Sequence, residues 1–453
     1  MFHCHLQHTG LLLADMVANL IFFFMVASAL TSPRVFGFRL GFASIGVIGL
    51  LSAIAANALS VDTTINTVTT LLPALATILS LMLMVGCLVA VGLMDKAQRA
   101  IVRLAREDSA RLLTLLFWSG AVFGAFFTND AAILLMTPLV IRLCRAREGV
   151  EGTEDHLPFL FAILYVGNLV GVLVISNPIN VVAATIFNIS FVEYFLWMFL
   201  PAIASMFVSW WGLLIAFRKP LRKEPKFLLL NDTEANLIDA GAKTSHQNTV
   251  GLLLLATLIG FSLEGVTDIP IWVTAVSGAV LISSYTLFTR GQLKTVVARV
   301  DIPILVFMAC IFTVAVAVRD TGSIDALLVA LEELLRQGTE QSIVWVSYLC
   351  AAVAAGINNH STVSLMVWLI ESLSLDAEAE KMMVLASLVG ADLGPKMLPI
   401  GSLAAMMWLS MVESNGFKVS IWTYIKIGVP VTLVSVGLSA LILVVEFMLL
   451  AKT

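Results

Sequence analysis

The chain has 453 residues, of which 59% are hydrophobic and only 12% are charged, and its mean hydropathy is +0.99. So much apolar surface exceeds what a soluble core buries, which excludes a soluble enzyme and predicts an all-α polytopic membrane protein. The net charge of −4 does not indicate a nucleic-acid partner, because the distribution of cations among loops is what matters in a membrane protein. The five cysteines lack C-x-x-C spacing, so neither a disulfide framework nor a zinc site is expected.

The amino-terminal segment combines a histidine-rich start with an apolar run. The hexapeptide from His3 to His8 has the composition of a metal site, but its spacing departs from that of a copper-ligand motif. We therefore expect no metal and no resident cofactor. The apolar run from Leu11 to Leu30 follows histidines instead of Lys or Arg residues, which favours a first membrane span over a signal peptide.

The following apolar segments predict the remaining spans. A helix needs about 20 apolar residues to cross the hydrocarbon core. Candidate spans lie near 10–30, 40–58, 67–94, 157–187, 191–217, 249–265, 270–289, 302–319, 382–411 and 424–448. Two further apolar segments, 112–142 and 341–370, carry polar residues at their centres, which is typical of re-entrant hairpins.

The loops that carry Lys and Arg fall on one side of the membrane if both hairpins re-enter without crossing. The positive-inside rule assigns that side to the cytoplasm. The spans then form two inverted repeats, each with about five transmembrane helices, one hairpin and one broken helix. The first repeat covers 1–217, with its hairpin at about 112–142 and its broken helix at about 157–187. A cytoplasmic linker covers 218–248, and the second repeat covers 249–453, with the corresponding elements at about 341–370 and 382–411.

Short sequence matches between the two halves support this repeat. Residues 128–132 align with 358–362, and residues 177–180 align with 398–401. Transporters with this organisation bind substrate near the midplane, where hairpin tips and broken helices converge. The basic segment at the start of the linker is expected to contact lipid headgroups.

The two hairpins carry different polar groups. An acid inside the membrane is costly and marks a functional site by default, so Asp130 is a candidate, although capping of a helix is compatible with the same position. The second hairpin offers uncharged donors and acceptors from Asn358 to Thr362. Within it, His360 is either a proton carrier or a hydrogen-bonded turn residue.

The two broken helices also differ in chemistry. In the first, Ser176, Asn177 and Asn180 flank a proline that frees backbone carbonyls, so they bind either a solute or the neighbouring helices. In the second, Asp392 and Lys396 stand four residues apart and could pair on one helix face. They form either a neutral structural pair or, together with an acid of the first half, the groups that carry protons.

These motifs resemble those of the ArsB arsenite and antimonite efflux family in the ion transporter superfamily. The similarity is most specific in residues 390–409, clear in 126–138 and 175–184, and weaker in 357–362. The resemblance implies a plasma-membrane transporter, not an enzyme, that exports arsenite or antimonite from the cytoplasm in exchange for protons. It also implies an ArsA-type ATPase as a partner of some members.

Carried over residue by residue, the resemblance implies a site made from both halves. Its substrate-binding residues are Asn129, Ser176, Asn177, Asn180, Asn358, Asn359 and Thr362, and its proton-coupling residues are Asp130, Asp392 and Lys396. We add His360 to the substrate-binding residues, where it departs from familiar members and could tune the site or shift the substrate. Familiar members have Cys in place of Ala391, and no cysteine of this chain lies in the motifs. We therefore expect neutral As(OH)₃ to be held by hydrogen bonds.

Two alternatives within the superfamily stay open. A Na⁺/H⁺ antiporter similar to NhaD also needs paired acids, and sodium-dependent transport would identify it. An exporter of another small hydroxylated solute or an organic anion is the other alternative, although the first broken helix lacks the Ser-Asn-Thr signature of organic-anion relatives because Pro178 follows Asn177. An intramembrane enzyme is not expected, because no nucleophile is paired with a base.

Overall fold

The computed structural model describes residues 2–31, 33–35, 38–93, 100–101, 103–105, 108–145, 147–148, 153–222, 226–227, 244–320 and 325–450. The side chains of residues 2–15 lie outside this description, and so does the question of a metal site at His3 to His8.

The first half of the described chain is built almost entirely from helices. These are α1 (Phe2–Thr31), α2 (Phe42–Ala55), α3 (Val61–Ala90), α4 (Ser109–Phe126), α5 (Asn129–Arg145), α6 (Leu157–Val166), α7 (Pro178–Ile186) and α8 (Phe191–Ala216). Short 3₁₀ turns lie at Thr153–Asp155, Val174–Ser176 and Pro220–Arg222. Two-residue strands pair Arg34–Val35 with Phe38–Arg39, and Arg147–Glu148 with Lys226–Phe227.

The second half has a similar sequence of elements. These are α9 (Thr244–Ser262), α10 (Glu264–Thr267), α11 (Ile271–Arg290), α12 (Leu293–Val297), α13 (Ile302–Asp320), α14 (Asp325–Arg336), α15 (Thr339–Ile357), α16 (Asn359–Ser372), α17 (Ala377–Leu393), α18 (Leu403–Ser414) and α19 (Ile421–Leu450). The 3₁₀ turns Gly394–Lys396 and Pro399–Gly401 separate α17 from α18.

Seven helical segments of the described chain are long and apolar enough to cross a membrane. They are α3, α4, α8, α11, the segment Leu293–Asp320, α15 and α19. Shorter apolar helices include Met16–Thr31, α2, α6 and α18. The predicted all-α multi-pass membrane architecture is therefore confirmed.

Two helix boundaries and one additional helix differ from the sequence prediction. Helix α3 begins at Val61 because Ser60 caps it, accepting the N–H of Thr63 at 3.0 Å, so polar residues join the apolar span. Helix α9 begins inside the predicted linker, of which residues 223–225 and 228–243 lie outside the described ranges. Helix α14 was not predicted. It carries both acidic residues and leucines in an amphipathic helical pattern, which is too polar for a membrane span.

Helix contacts correspond between the two halves. Helix α2 packs on α13, and α11 packs on α3; likewise α4 packs on α6, and α15 packs on α17. Across the halves, α5 packs on α18 and α16 packs on α7, so each hairpin contacts the broken helix of the other half. This exchange of partners supports two repeats, while their inversion, their limits and the re-entrant path of the hairpins stay predictions.

Candidate functional site

The tips of the two hairpins have related caps. In the first, Thr128 Oγ1 accepts the N–H of Ala131 at 3.0 Å, and in the second, Asn358 Oδ1 accepts the N–H of Ser361 at 3.0 Å. These caps fall at aligned positions of the two sequences. Asn358 adopts φ 69°, a left-handed conformation that asparagine tolerates better than most residues. The capping role considered for Asp130 is therefore wrong, because Thr128 occupies that position.

Asp130 is partly exposed in the first turn of α5. Its carboxylate accepts no hydrogen bond from the residues that the structure describes. Asp130 therefore shares no hydrogen bond with the groups around Asp392, although both acids were predicted at one centre.

The two broken helices share a backbone pattern that the sequence alignment missed. Asn177 has φ −145° and ψ 135° after the turn Val174–Ser176, and Ser402 has φ −142° and ψ 138° after the turn Pro399–Gly401. Each then caps the helix that follows. The alignment of 177–180 with 398–401 is therefore wrong, because the two segments place their prolines at different points: Pro178 opens a helix, whereas Pro399 opens a 3₁₀ turn.

Asp392 lies at the end of α17 and is 1% exposed. Its Oδ1 accepts a hydrogen bond from Asn177 Nδ2 at 2.6 Å, and its Oδ2 accepts from Asn180 Nδ2 at 3.2 Å and from the Gly171 N–H at 3.0 Å. All these donors are uncharged and come from the first broken helix. A buried carboxylate is tolerated when such hydrogen bonds replace its hydration, so the second half supplies the charge and the first half stabilises it.

Lys396 is fully buried but does not pair with Asp392. Its Nζ donates to Ser209 Oγ at 2.8 Å and lies 5.5 Å from the centre of the Tyr165 ring. Among the ion pairs of the described chain, none joins Lys396 to Asp392 within 4.0 Å. The expected i,i+4 pair fails because α17 ends at Leu393 and a 3₁₀ turn redirects Lys396.

Three predicted substrate-binding residues hydrogen-bond to backbone groups. Asn129 Nδ2 donates to the Leu169 carbonyl at 3.1 Å and ties the first hairpin to the first broken helix. The hydroxyls of Ser176 and Thr362 donate to carbonyls of their own turns at 2.6 and 2.7 Å. These groups shape the segments; the two hydroxyls keep only acceptor capacity for a solute, whereas the Asn129 amide keeps one N–H donor.

The remaining polar groups include buried atoms without a hydrogen-bond partner. The Nδ1 of His360 lies 2.9 Å from Asn359 Oδ1, whereas its Nε2 has no partner. Other such atoms in this region are Asn358 Nδ2 and Ser361 Oγ, whereas the side chains of Asn180 and Tyr194 interact with each other. An unsatisfied buried polar group costs about 1–3 kcal/mol. Such groups on the second hairpin are therefore suited to bind a small molecule with several hydroxyls.

Sequence reasoning missed residues that complete this region. Gly171 is required because a Cβ there would overlap both Ser176 Oγ and Asn180 Nδ2. A glycine between two polar motifs of a broken helix was a usable signal for this position. Tyr194 and Ser209 lie in the apolar helix α8, where neither periodicity nor spacing distinguishes them from packing residues.

Comparisons with known proteins identify relatives of this chain. The chain is 29% identical over 364 residues to the arsenical pump membrane protein of Escherichia coli strain K12, covering 79% of this chain and 83% of the relative. It is 27% identical over 346 residues to the arsenical pump membrane protein of Yersinia enterocolitica, covering 76% and 79%. The resemblance to arsenical pump proteins is therefore confirmed.

The fold and a family match agree with these relatives. The crystal structure of the Alcanivorax borkumensis YdaH transporter is similar with a TM-score of 0.55 and 14% identity, covering 97% of this chain and 99% of that chain. Residues 8–390 match the family described as CitMHS, citrate transporter. Because this match covers most of the sequence, the chain belongs to the CitMHS family and is a multi-pass transporter of the plasma membrane.

Proposed function

We propose that the protein exports arsenite or antimonite from the cytoplasm as a neutral trihydroxide, in exchange for protons. The relatives named arsenical pump membrane proteins support the substrate class. The observation that carries the proposal is a buried carboxylate, Asp392, beside the buried polar side chains of Asn180 and Tyr194 from two other helices, together with unpartnered polar atoms on the second hairpin.

A neutral trihydroxide matches the polarity of these groups. Each hydroxyl both donates and accepts, and the region offers acceptors such as Ser361 Oγ together with donors such as Asn358 Nδ2. No thiol is among these atoms or among the donors to Asp392. Hydrogen bonds also allow faster release than thiolate bonds to trivalent arsenic, as a transport cycle requires.

Proton exchange follows from the acceptor role of Asp392. A substrate hydroxyl replaces one of the amide donors only while the carboxylate is ionised, since protonation converts an acceptor oxygen into a donor. Proton and substrate then exclude each other, which is the condition for antiport. Asp130 supplies a second acid that water reaches more easily, because it is partly exposed.

The alternative substrates fit these groups less well. A citrate trianion would meet the buried carboxylate of Asp392, while the buried cation of Lys396 is engaged with Ser209. A sodium ion needs oxygen ligands, yet both oxygens of Asp392 accept N–H groups. A neutral hydroxide requires neither an additional counter-charge nor a rearrangement of all these donors.

Arsenite uptake into everted membrane vesicles tests this function. An inside-acid pH gradient without sodium should drive uptake by the wild type, and Asp130→Asn should abolish it. Asp376→Asn is the matched control, because Asp376 is an exposed acid that caps α17 and asparagine caps equally well. Sodium-driven proton movement without arsenite uptake would instead establish the antiporter of sodium.

Substrate contact at the second hairpin is tested by Asn358→Asp. Aspartate keeps the capping oxygen but replaces the unpartnered Nδ2 donor with an anionic acceptor. We expect a higher KM for arsenite and a lower Tm, because the new carboxylate is buried without a counter-charge. Asn57→Asp is the control, since Asn57 is an exposed turn residue with φ 54°. An unchanged KM in Asn358→Asp would remove this residue from the substrate site.

A further inference from the structure

An apolar groove lies between α8 and α19. Its volume is about 500 Å³, and its lining includes Phe207, Trp211 and Val434. The two helices approach each other closely within this lining, where a Cβ on Gly212 would lie 2.5 Å from Val431 Cγ2. Both helices are candidate membrane spans, so this surface faces lipid.

One end of the groove is cationic. Lys426 is exposed and is the charged residue of the lining. Ile215 and Ala216 line the same groove at the end of α8, and the exposed residues Arg218 and Lys219 follow directly in the chain. Lys426 belongs to none of the ion pairs within the described ranges. Its ammonium group is thus available to an anion.

A second groove provides an internal comparison. It lies between α9 and α11, has a volume of about 310 Å³, and is lined by apolar residues together with Thr257, Thr274 and Ser277. No charged residue lines it. Both grooves therefore have mostly apolar linings, and the α8–α19 groove differs from the other by its lysine.

We infer that the α8–α19 groove binds an anionic phospholipid. The phosphate pairs with Lys426, with Arg218 and Lys219 adding to the positive potential, and an acyl chain lies along Trp211 and Val434. Clusters of cations between membrane helices attract acidic headgroups on the cytoplasmic side, which is where the distribution of Lys and Arg places this end. The aliphatic stem of Lys426 packs on the groove while its charge reaches the headgroup region.

Native mass spectrometry and thermal unfolding of the purified full chain in detergent test this inference. Phosphatidylglycerol should bind and raise Tm, whereas phosphatidylcholine should not. Lys426→Ala should lose most of the phosphatidylglycerol-dependent Tm shift, and Lys426→Arg should retain it. Lys418→Ala is the control, because Lys418 is an exposed cation that does not line the groove.

Filling the groove provides an independent arm. Val434→Trp should weaken phosphatidylglycerol binding, while Leu281→Trp in the second groove should not. Retention of the lipid-dependent shift by both Lys426→Ala and Val434→Trp would overturn the inference. A wild-type dimer that Val434→Trp converts to a monomer, without a change in lipid binding, would overturn it in favour of a second copy of the chain. These experiments do not measure arsenite transport. A failure of the lipid inference is therefore distinguishable from a failure of the proposed function.

Discussion

Asp392 and Lys396 lie in the same break of one helix, yet their surroundings differ in kind. The carboxylate of Asp392 accepts three hydrogen bonds from Asn177, Asn180 and Gly171. The ammonium group of Lys396 donates to Ser209 and faces an aromatic ring. Both residues are buried, and all these partners come from the first half of the chain.

The difference shows that the two halves of the chain contribute different kinds of groups to this region. The second half contributes both charges, and the first half contributes uncharged groups that hold each charge separately. Asp392 is fixed by several donors, whereas the side-chain contacts of Lys396 are fewer. Because the two charges do not neutralise each other directly, each is able to respond to a proton or a substrate.

Among changes around Asp392 and Lys396, the largest effect is expected from Asp392→Asn. The new amide would place an N–H group where the Asn177 or Asn180 amide already donates, and hydrogen bonds to a charged group contribute about 1.5–3 kcal/mol each. We expect pH-gradient-driven arsenite uptake to be lost while the protein still inserts into the membrane. Gradient-driven uptake at the wild-type rate would contradict the central role of this carboxylate.

Gly171→Ala tests the donors of Asp392 without touching a charge. The new methyl group would displace Ser176 Oγ or Asn180 Nδ2, because both atoms lie too close to the Gly171 Cα to leave room for a Cβ. Losing one charge-assisted hydrogen bond, about 1.5–3 kcal/mol, should lower the uptake rate about 10- to 100-fold. Gly251→Ala, in open space on α9, should leave uptake unchanged. Equal rates for both variants would show that Asp392 does not depend on this packing.

The sequence predicted the chemistry of this region better than its geometry. Polar groups are energetically unfavourable in hydrocarbon, so the polar residues of the broken helices were expected inside the protein. The structure buries Asp392, Lys396, Asn177 and Asn180 there. The separation of the two charges was not predictable, because it depends on where α17 ends and where the 3₁₀ turn points. Ser209 was equally hidden, since a serine in an apolar helix most often bonds within its own turn.

Lys396→Met tests what the buried cation contributes to stability and to transport. An ammonium group without hydration costs several kcal/mol to bury, so methionine of similar length should leave thermal stability unchanged or raise it. Transport should nevertheless fall severalfold, because Asp392 loses the positive charge that acts on it across the break. Thermal unfolding in detergent and uptake in everted vesicles measure the two effects separately. A strong loss of stability would instead identify Lys396 as a structural residue.

The smallest effect is expected from Ser209→Ala, which removes the hydroxyl that accepts from Lys396. Ser205→Ala is a close control, because Ser205 is buried one turn earlier on α8 and donates only within its own turn, to Ala202. Leaving a buried charged donor unpaired should cost about 1–3 kcal/mol, so Tm should fall by a few degrees more in Ser209→Ala than in Ser205→Ala. If Lys396 alternates between Ser209 and Asp392 during transport, the pH dependence of uptake should also shift in Ser209→Ala alone. A fall in Tm without that shift would show that Ser209 only anchors the lysine, and Asp392 would then carry the proton without its help.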